Sequence, residues 1–272
     1  MIPAALLLSF IGLVWFSLRY HWWRPAVDYH HPRILMYHMI AAPRPGARFN
    51  GLRVPPHRFE RQLRWLSQRG WRSFTVSELL ARGSTLPDKS FAITFDDGYA
   101  DNLLRALPLL QKYGFKATLY LVVDRFERDW SMQRKQHHSG GELKREAKLS
   151  DEQVDELLAS GCIELGSHSV THANFQRMER ESVCRELMQS RKMLEERFAV
   201  PVLSFAYPFG LYHPYQVELV KQAGYSSAVT TREGIDSTAS WQPLELRRIK
   251  ISGKDNWLAF LLRMRVGRRG CL

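Results

Sequence analysis

Cysteine is scarce in this chain of 272 residues: Cys162, Cys184 and Cys271 are an odd number with no CxxC spacing. That excludes a disulfide framework and a thiolate metal site as organising features. Internal repeats and low-complexity tracts are lacking too. With 45% of its residues hydrophobic, the chain can bury a sizeable core, so disorder is not the expectation. Acidic residues are in deficit, 27 against 39 lysines and arginines, for a formal charge of +12. This balance favours an anionic partner such as nucleic acid, phospholipid headgroups or a phosphorylated substrate. There is no basic recognition helix with interleaved aromatics and no single-strand stacking signature, so nucleic acid is not expected.

One long hydrophobic run stands out, Ile2 to Leu18 (IPAALLLSFIGLVWFSL), at the short end of the roughly 17 to 25 residues that span a bilayer. The following RYHWWR resembles an interfacial aromatic belt. No positive segment precedes the run and no small-residue cleavage site follows it, which argues against a removable signal peptide. The expectation is an uncleaved N-terminal transmembrane helix over residues 1–20, a linker over 21–32 ending at His31-Pro32, and one domain over 33–272. A single-pass anchor of this kind implies a bacterial-type inner membrane. Arg19, Arg24 and Arg33 follow the run, which on the positive-inside rule puts the domain in the cytoplasm, though three charges leave the side open.

From Arg33 onward short apolar runs alternate with helix-like segments. Strands are expected near Arg33–Tyr37, Phe91–Phe95, Lys116–Val122, Ile163–Leu165, Leu203–Ala206, Ser227–Val229 and Leu246–Ile251. Helices are expected near His57–Gln68, Asp101–Tyr113, Asp151–Ala159, Glu179–Phe198 and Pro214–Ala223, with a last one in NWLAFLLRMRVGRR. Gly70, Gly114, Gly161 and Gly224 fall where helices end, and Ser150 with Gln153 fits a capping box. The alternation predicts an α/β fold with a mostly parallel sheet, open or closed into a barrel. Asp124 to Lys148 reads as a charged surface insertion, and His137 and His138 within it are set aside as ligands.

In such folds chemistry gathers where strands end. FAITFDDGYADN places Asp96 and Asp97 at one strand end, GSHSVTH places His168 and His172 at another, YPFG follows a third, and His38 follows the first. His168 and His172 are four apart, so on a helical turn both imidazoles reach one ion. With one aspartate they form a two-histidine, one-carboxylate set that leaves room for water and substrate. The second aspartate can then stay off the ion and accept a proton from the attacking water.

TFDDGY, SHSVTH and YPFG, in this order, resemble successive motifs of the polysaccharide deacetylase family, which includes chitooligosaccharide, peptidoglycan and poly-N-acetylglucosamine deacetylases. The resemblance covers roughly Arg33 to Phe260. It implies an irregular, incomplete (β/α) barrel and hydrolysis of acetyl groups on sugars with a divalent metal, most often zinc. It implies Asp97, His168 and His172 as metal ligands, Asp96 as general base, and the Tyr207 backbone N–H as an oxyanion donor. The usual C-terminal histidine acid is not found. ILMYHMI instead resembles the N-terminal motif of a circularly permuted branch, which makes His38 the acid. LRRIKI resembles the segment whose arginine orients the catalytic aspartate, with Arg248 chosen over Arg247. The implied substrate is an acetylated envelope glycan or a lipid-linked sugar. The alternative is a noncatalytic glycan-binding or assembly protein on the same fold, which would be expected to have lost the base or a ligand.

Overall fold

The computed structural model describes residues 4–130 and 141–270. His137 and His138 lie outside the described residues. The strands are β1 (Arg33–Tyr37), β2 (Arg72–Ser73), β3 (Ser90–Asp96), β4 (Ala117–Leu121), β5 (Ile163–Ser167), β6 (Ser204–Ala206), β7 (Ser227–Glu233) and β8 (Leu246–Lys250). The helices are α1 (Ala4–Tyr20), α2 (Pro56–Gln68), α3 (Val76–Arg82), α4 (Leu107–Tyr113), α5 (Asp151–Ala159), α6 (Arg180–Phe198), α7 (Pro214–Gln222) and α8 (Trp257–Val266).

Every strand pairing in the sheet is parallel, and the order β1-β8-β7-β6-β5-β4-β3 closes on itself because β1 also pairs with β3, from Arg33↔Phe91 to Tyr37↔Phe95. Seven strands therefore form a barrel, with β2 as a two-residue appendage on β3. The expected parallel barrel is found, one strand short of eight. β1, β3 and β4 are buried along their whole length, as strands covered on both faces must be, and they read as continuous apolar runs for that reason. Leu35 and Tyr37 point outward to pack with Phe59 and Leu63 of α2 in the main core. Ile34, Ala92, Tyr120, Ala206, Val229 and Leu246 cluster separately, with Val76 and Leu79 of α3.

Helix ends follow local chemistry. Ser150 and Gln153 form the expected reciprocal capping box, and Gly70, Gly114, Gly161 and Gly224 all adopt positive φ. An unanticipated α3 begins with the same device, Thr75 accepting from the Glu78 N–H while Glu78 accepts from Thr75. The stretch expected as one helix from Asp101 opens with a π-helical turn, Asn102–Ala106, before α4.

One expectation about the N-terminus is corrected. From Ala4 the apolar run is helical and carries exposed Leu6, Phe10, Leu13 and Trp15. However, among the described residues no helix is long and apolar enough to cross a membrane. Within 21–32, Val27 N–H donates to Arg265 O at 2.9 Å, and buried Arg33 donates to Val27 O, Asp28 O and Met264 O. The chain before β1 is thereby strapped across α8.

The insertion after β4 is likewise more than a surface loop. Trp130, Leu143 and Glu146 are buried, and its returning limb pairs with the segment after Asp97 through Ala100 N–H to Ala147 O and Leu149 N–H to Gly98 O, both 2.9 Å. Fully buried Arg53 pairs with Glu142 and Glu146 at 2.7 Å each and clasps this limb to the β1–α2 connection.

Candidate active site

Alternation along β3 puts Thr94 and Asp96 on the same face, and alternation along β8 sends Arg248 toward them while Arg247 turns out to Asp236. Arg248, 1% exposed, donates to Asp96 Oδ1 at 2.7 Å and Oδ2 at 2.8 Å, and to Thr94 Oγ1 at 3.0 Å. Burial alone would raise the Asp96 pKa; the charge and hydrogen bonds of Arg248 outweigh it and hold the carboxyl below its ordinary value. Asp96 is therefore an ionised, fixed acceptor.

One residue later the strand ends and the chain turns sharply. Asp97 adopts φ 79° and Gly98 φ 78°. A Cβ on Gly98 would lie 2.4 Å from Leu121 Cδ1, so both the conformation and the close approach call for glycine. The turn swings Asp97 toward the end of β5. There Asp97 Oδ1 lies 3.5 Å from His168 Nε2 and 3.3 Å from His172 Nε2, and the two imidazole nitrogens are 3.1 Å apart. All three side chains are buried. Burial works to raise Asp97, yet its contacts with His168 and His172 bring it well below the ordinary range, while burial lowers His172.

These spacings fit a metal ion. Ligand atoms about 2.0–2.2 Å from a tetrahedral centre are about 3.3–3.6 Å apart, close to the observed triangle. His168 Nδ1 lies 2.7 Å from Ala206 O, a contact that needs the proton on Nδ1 and leaves the Nε2 lone pair facing Asp97 and His172. A nitrogen and oxygen donor set of this kind suits zinc.

The turn between the histidines is held from α6. Glu186 accepts from Val170 N–H at 2.8 Å, Thr171 N–H at 3.0 Å and Thr171 Oγ1 at 2.8 Å. His172 N–H donates to Ser169 Oγ at 3.0 Å, and Ser169 and His172 adopt φ 66° and 54°. Such conformations cost of order 1–3 kcal/mol each and persist where surroundings enforce them. Among the described residues, four of the eight non-glycine positions with positive φ, Asp97, Ser169, His172 and Phe209, belong to this region.

His38, Asp96, Asp97, His168, His172 and Tyr207 all line one cavity of about 280 Å³. His38 arrives from the end of β1, and burial lowers its pKa against the opposing pull of Asp97 and Asp96. Trp130 and Leu143 of the insertion supply an apolar wall, with the Trp130 ring 5.0 Å from that of His172.

Tyr207 lines the cavity just past the end of β6. Its N–H donates to Val229 O at 3.2 Å within the sheet, and its hydroxyl to Leu244 O at 3.1 Å. The amide expected to receive an oxyanion therefore also has a backbone acceptor in β7. Two residues on, Phe209 also lines the cavity, at φ 58°, with its ring 4.4 Å from that of His172, and among the described residues nothing accepts from its N–H. The Pro208-Phe209-Gly210 turn was the signal for that amide. Glu186 had no comparable signal, since its role depends on packing α6 beneath the β5 loop.

Comparison with known proteins agrees with this architecture. The Polysaccharide deacetylase family profile matches residues 83–228. YxkH of Bacillus subtilis is 30% identical over 230 residues, 84% of this chain and 74% of that protein. The poly-beta-1,6-N-acetyl-D-glucosamine N-deacetylase of Staphylococcus aureus is 24% identical over 191 residues, and the match spans 61% of its length. The structure of the Streptococcus pyogenes deacetylase PplD, in complex with acetate, superposes with a TM-score of 0.71 at 26% identity over 88% of this chain and 99% of that one.

Proposed function

The chain belongs to the polysaccharide deacetylase family, and on that footing we propose that it hydrolyses N-acetyl groups on an envelope polysaccharide or lipid-linked glycan, using a divalent ion held by Asp97, His168 and His172. The observation that carries this reading is the convergence of those three donors beside the Arg248-clamped Asp96 in one cavity. Zinc is the proposed ion. When bound, it supplies Lewis-acid chemistry to the acyl oxygen and to water.

The protein's own groups divide the remaining work. Asp96, kept ionised by Arg248, accepts a proton as water adds to the acetyl carbon. The Tyr207 N–H, or the neighbouring Phe209 N–H that has no acceptor among the described residues, takes the oxyanion role. His38 delivers a proton to the nitrogen as the C–N bond breaks, giving acetate and a free amine; this role is supported by its place in the cavity wall and by the resemblance of ILMYHMI to the branch with an N-terminal MYH motif. Trp130 and Leu143 exclude water from the acetyl side.

The S. aureus relative's named substrate makes poly-N-acetylglucosamine the first glycan to try. Association with the bacterial inner membrane is part of the same proposal, supported by the exposed apolar surface of α1 and testable by cell fractionation. Mass spectrometry of envelope glycans and lipid-linked sugars, with the native chain and with Asp96→Asn, tests the substrate. Loss of acetyl groups only with the native chain is expected; identical acetylation in the two would overturn the proposal.

A further inference from the structure

β1 and β3 are paired up to Tyr37↔Phe95, and there the backbone ladder stops. The next residue on β3 is Asp96, and the next on β1 is His38. Beyond this point β1's continuation bonds to side chains of the segment after β3. Asn102 Nδ2 donates to His38 O at 2.9 Å, and Ile40 N–H donates to Asp101 Oδ1 at 2.8 Å. Asn102 Nδ2 also reaches Asp101 Oδ1 at 3.1 Å, which ties the two side chains together. Residues 38 and 40 are two apart on an extended segment, so the groups concerned point the same way, as in a continued ladder.

The other side of this segment is pinned by backbone alone. Met39 N–H donates to Leu52 O at 3.0 Å and Val54 N–H to Met39 O at 2.9 Å. His38 is thus held between a backbone bridge and a pair of buried polar side chains. Asn102 is 2% exposed and opens the π-helical turn Asn102–Ala106, a rare backbone form that here presents Asp101 and Asn102 together toward β1.

We propose that Asp101 and Asn102 are positioning residues that extend the β1–β3 register in side-chain form and so fix His38 opposite Asp96. This rests on the assignment of His38 as the proton donor. Neither residue is among those lining the cavity or among the three candidate metal ligands. Its effect passes through where the His38 ring sits, and a displacement on the order of 1 Å is enough to cost about 100-fold in rate.

A double-mutant cycle tests this. Asn102→Leu removes the donor to His38 O, Asp101→Ala removes the acceptor from Ile40 N–H, and Asp101→Asn keeps an acceptor oxygen in place. Expected are a fall in kcat on the order of 10- to 100-fold for Asn102→Leu and Asp101→Ala, with KM and bound metal unchanged, and near-native kcat for Asp101→Asn. In a His38→Ala background Asn102→Leu should have no further effect. In metal-free protein the His38 ring nitrogen resonances should shift or broaden in Asn102→Leu.

An undiminished Asn102→Leu effect in the His38→Ala background, or unmoved His38 resonances, would overturn the positioning role. Full activity of His38→Ala would instead remove the proton-donor assignment itself, a separate failure. If Asn102→Leu does not fold, the contrast between Asp101→Ala and Asp101→Asn decides: equal losses in the two overturn the proposal.

Discussion

Arg248 grips both carboxylate oxygens of Asp96 from a strand 152 residues further along the chain, at 2.7 and 2.8 Å. The pair is buried inside a barrel whose opposite edges meet at β1, so its geometry exists only once the ring of strands has closed. It also separates the two adjacent aspartates chemically, since Asp96 is neutralised by an arginine and Asp97 faces two histidines.

Asp96→Asn keeps the shape of the side chain and removes the acceptor for a proton. The expected result is loss of turnover on the order of 100- to 10,000-fold, with bound metal unchanged by elemental analysis. Retained activity would remove Asp96 as the base.

Arg248→Met leaves Asp96 buried without its partner. Removing one member of a buried pair typically costs about 3–5 kcal/mol, to be measured by urea unfolding near neutral pH. The pH dependence has a definite sign. The folded pKa of Asp96 lies below the ordinary aspartate value of 3.8, so its stabilisation is full above that value and is lost as pH falls through the folded pKa. The gap between native chain and variant should therefore narrow on acidification below 3.8. A gap that is constant or widens there would contradict the pairing.

Glu186→Ala removes three hydrogen bonds from Val170 and Thr171 without touching a metal ligand. Metal affinity, measured by calorimetry on metal-free protein, should fall on the order of 10- to 100-fold. An unchanged affinity would show that the strained turn needs no support from α6.

Much of this site was legible in the sequence because its residues sit at strand ends. Asp96, Asp97, His168 and His38 each directly follow or close an apolar run, and parallel strands carry their C-terminal ends to one face. Arg248 was legible too, since the strand periodicity around Ile249 and Ile251 required a choice between two neighbours and the motif supplied it. Tyr207 was legible as a cavity-lining residue just past β6, whereas the bond of its N–H to Val229 O depends on how β7 lies beside it, which no local pattern announces. α3 was missed although Thr75 and Glu78 spell its capping box, because seven residues are too few for a periodic pattern. The apolar run read as long enough to span a membrane, whereas among the described residues no helix is long and apolar enough to do so. Asn102, Glu186 and Trp130 act through distant segments, and no local pattern announces that.

The central claim is that Asp97, His168 and His172 hold an ion on which deacetylation depends. Its most direct measurement is acetate release from acetylated glucosamine oligosaccharides by the purified chain, before chelation, after chelation and after zinc is restored, with His172→Ala alongside. The expected result is release that disappears with the metal, returns with it, and is absent in the variant, which also binds no metal. Acetate release that persists in metal-free protein, or full metal occupancy in His172→Ala, would contradict the account.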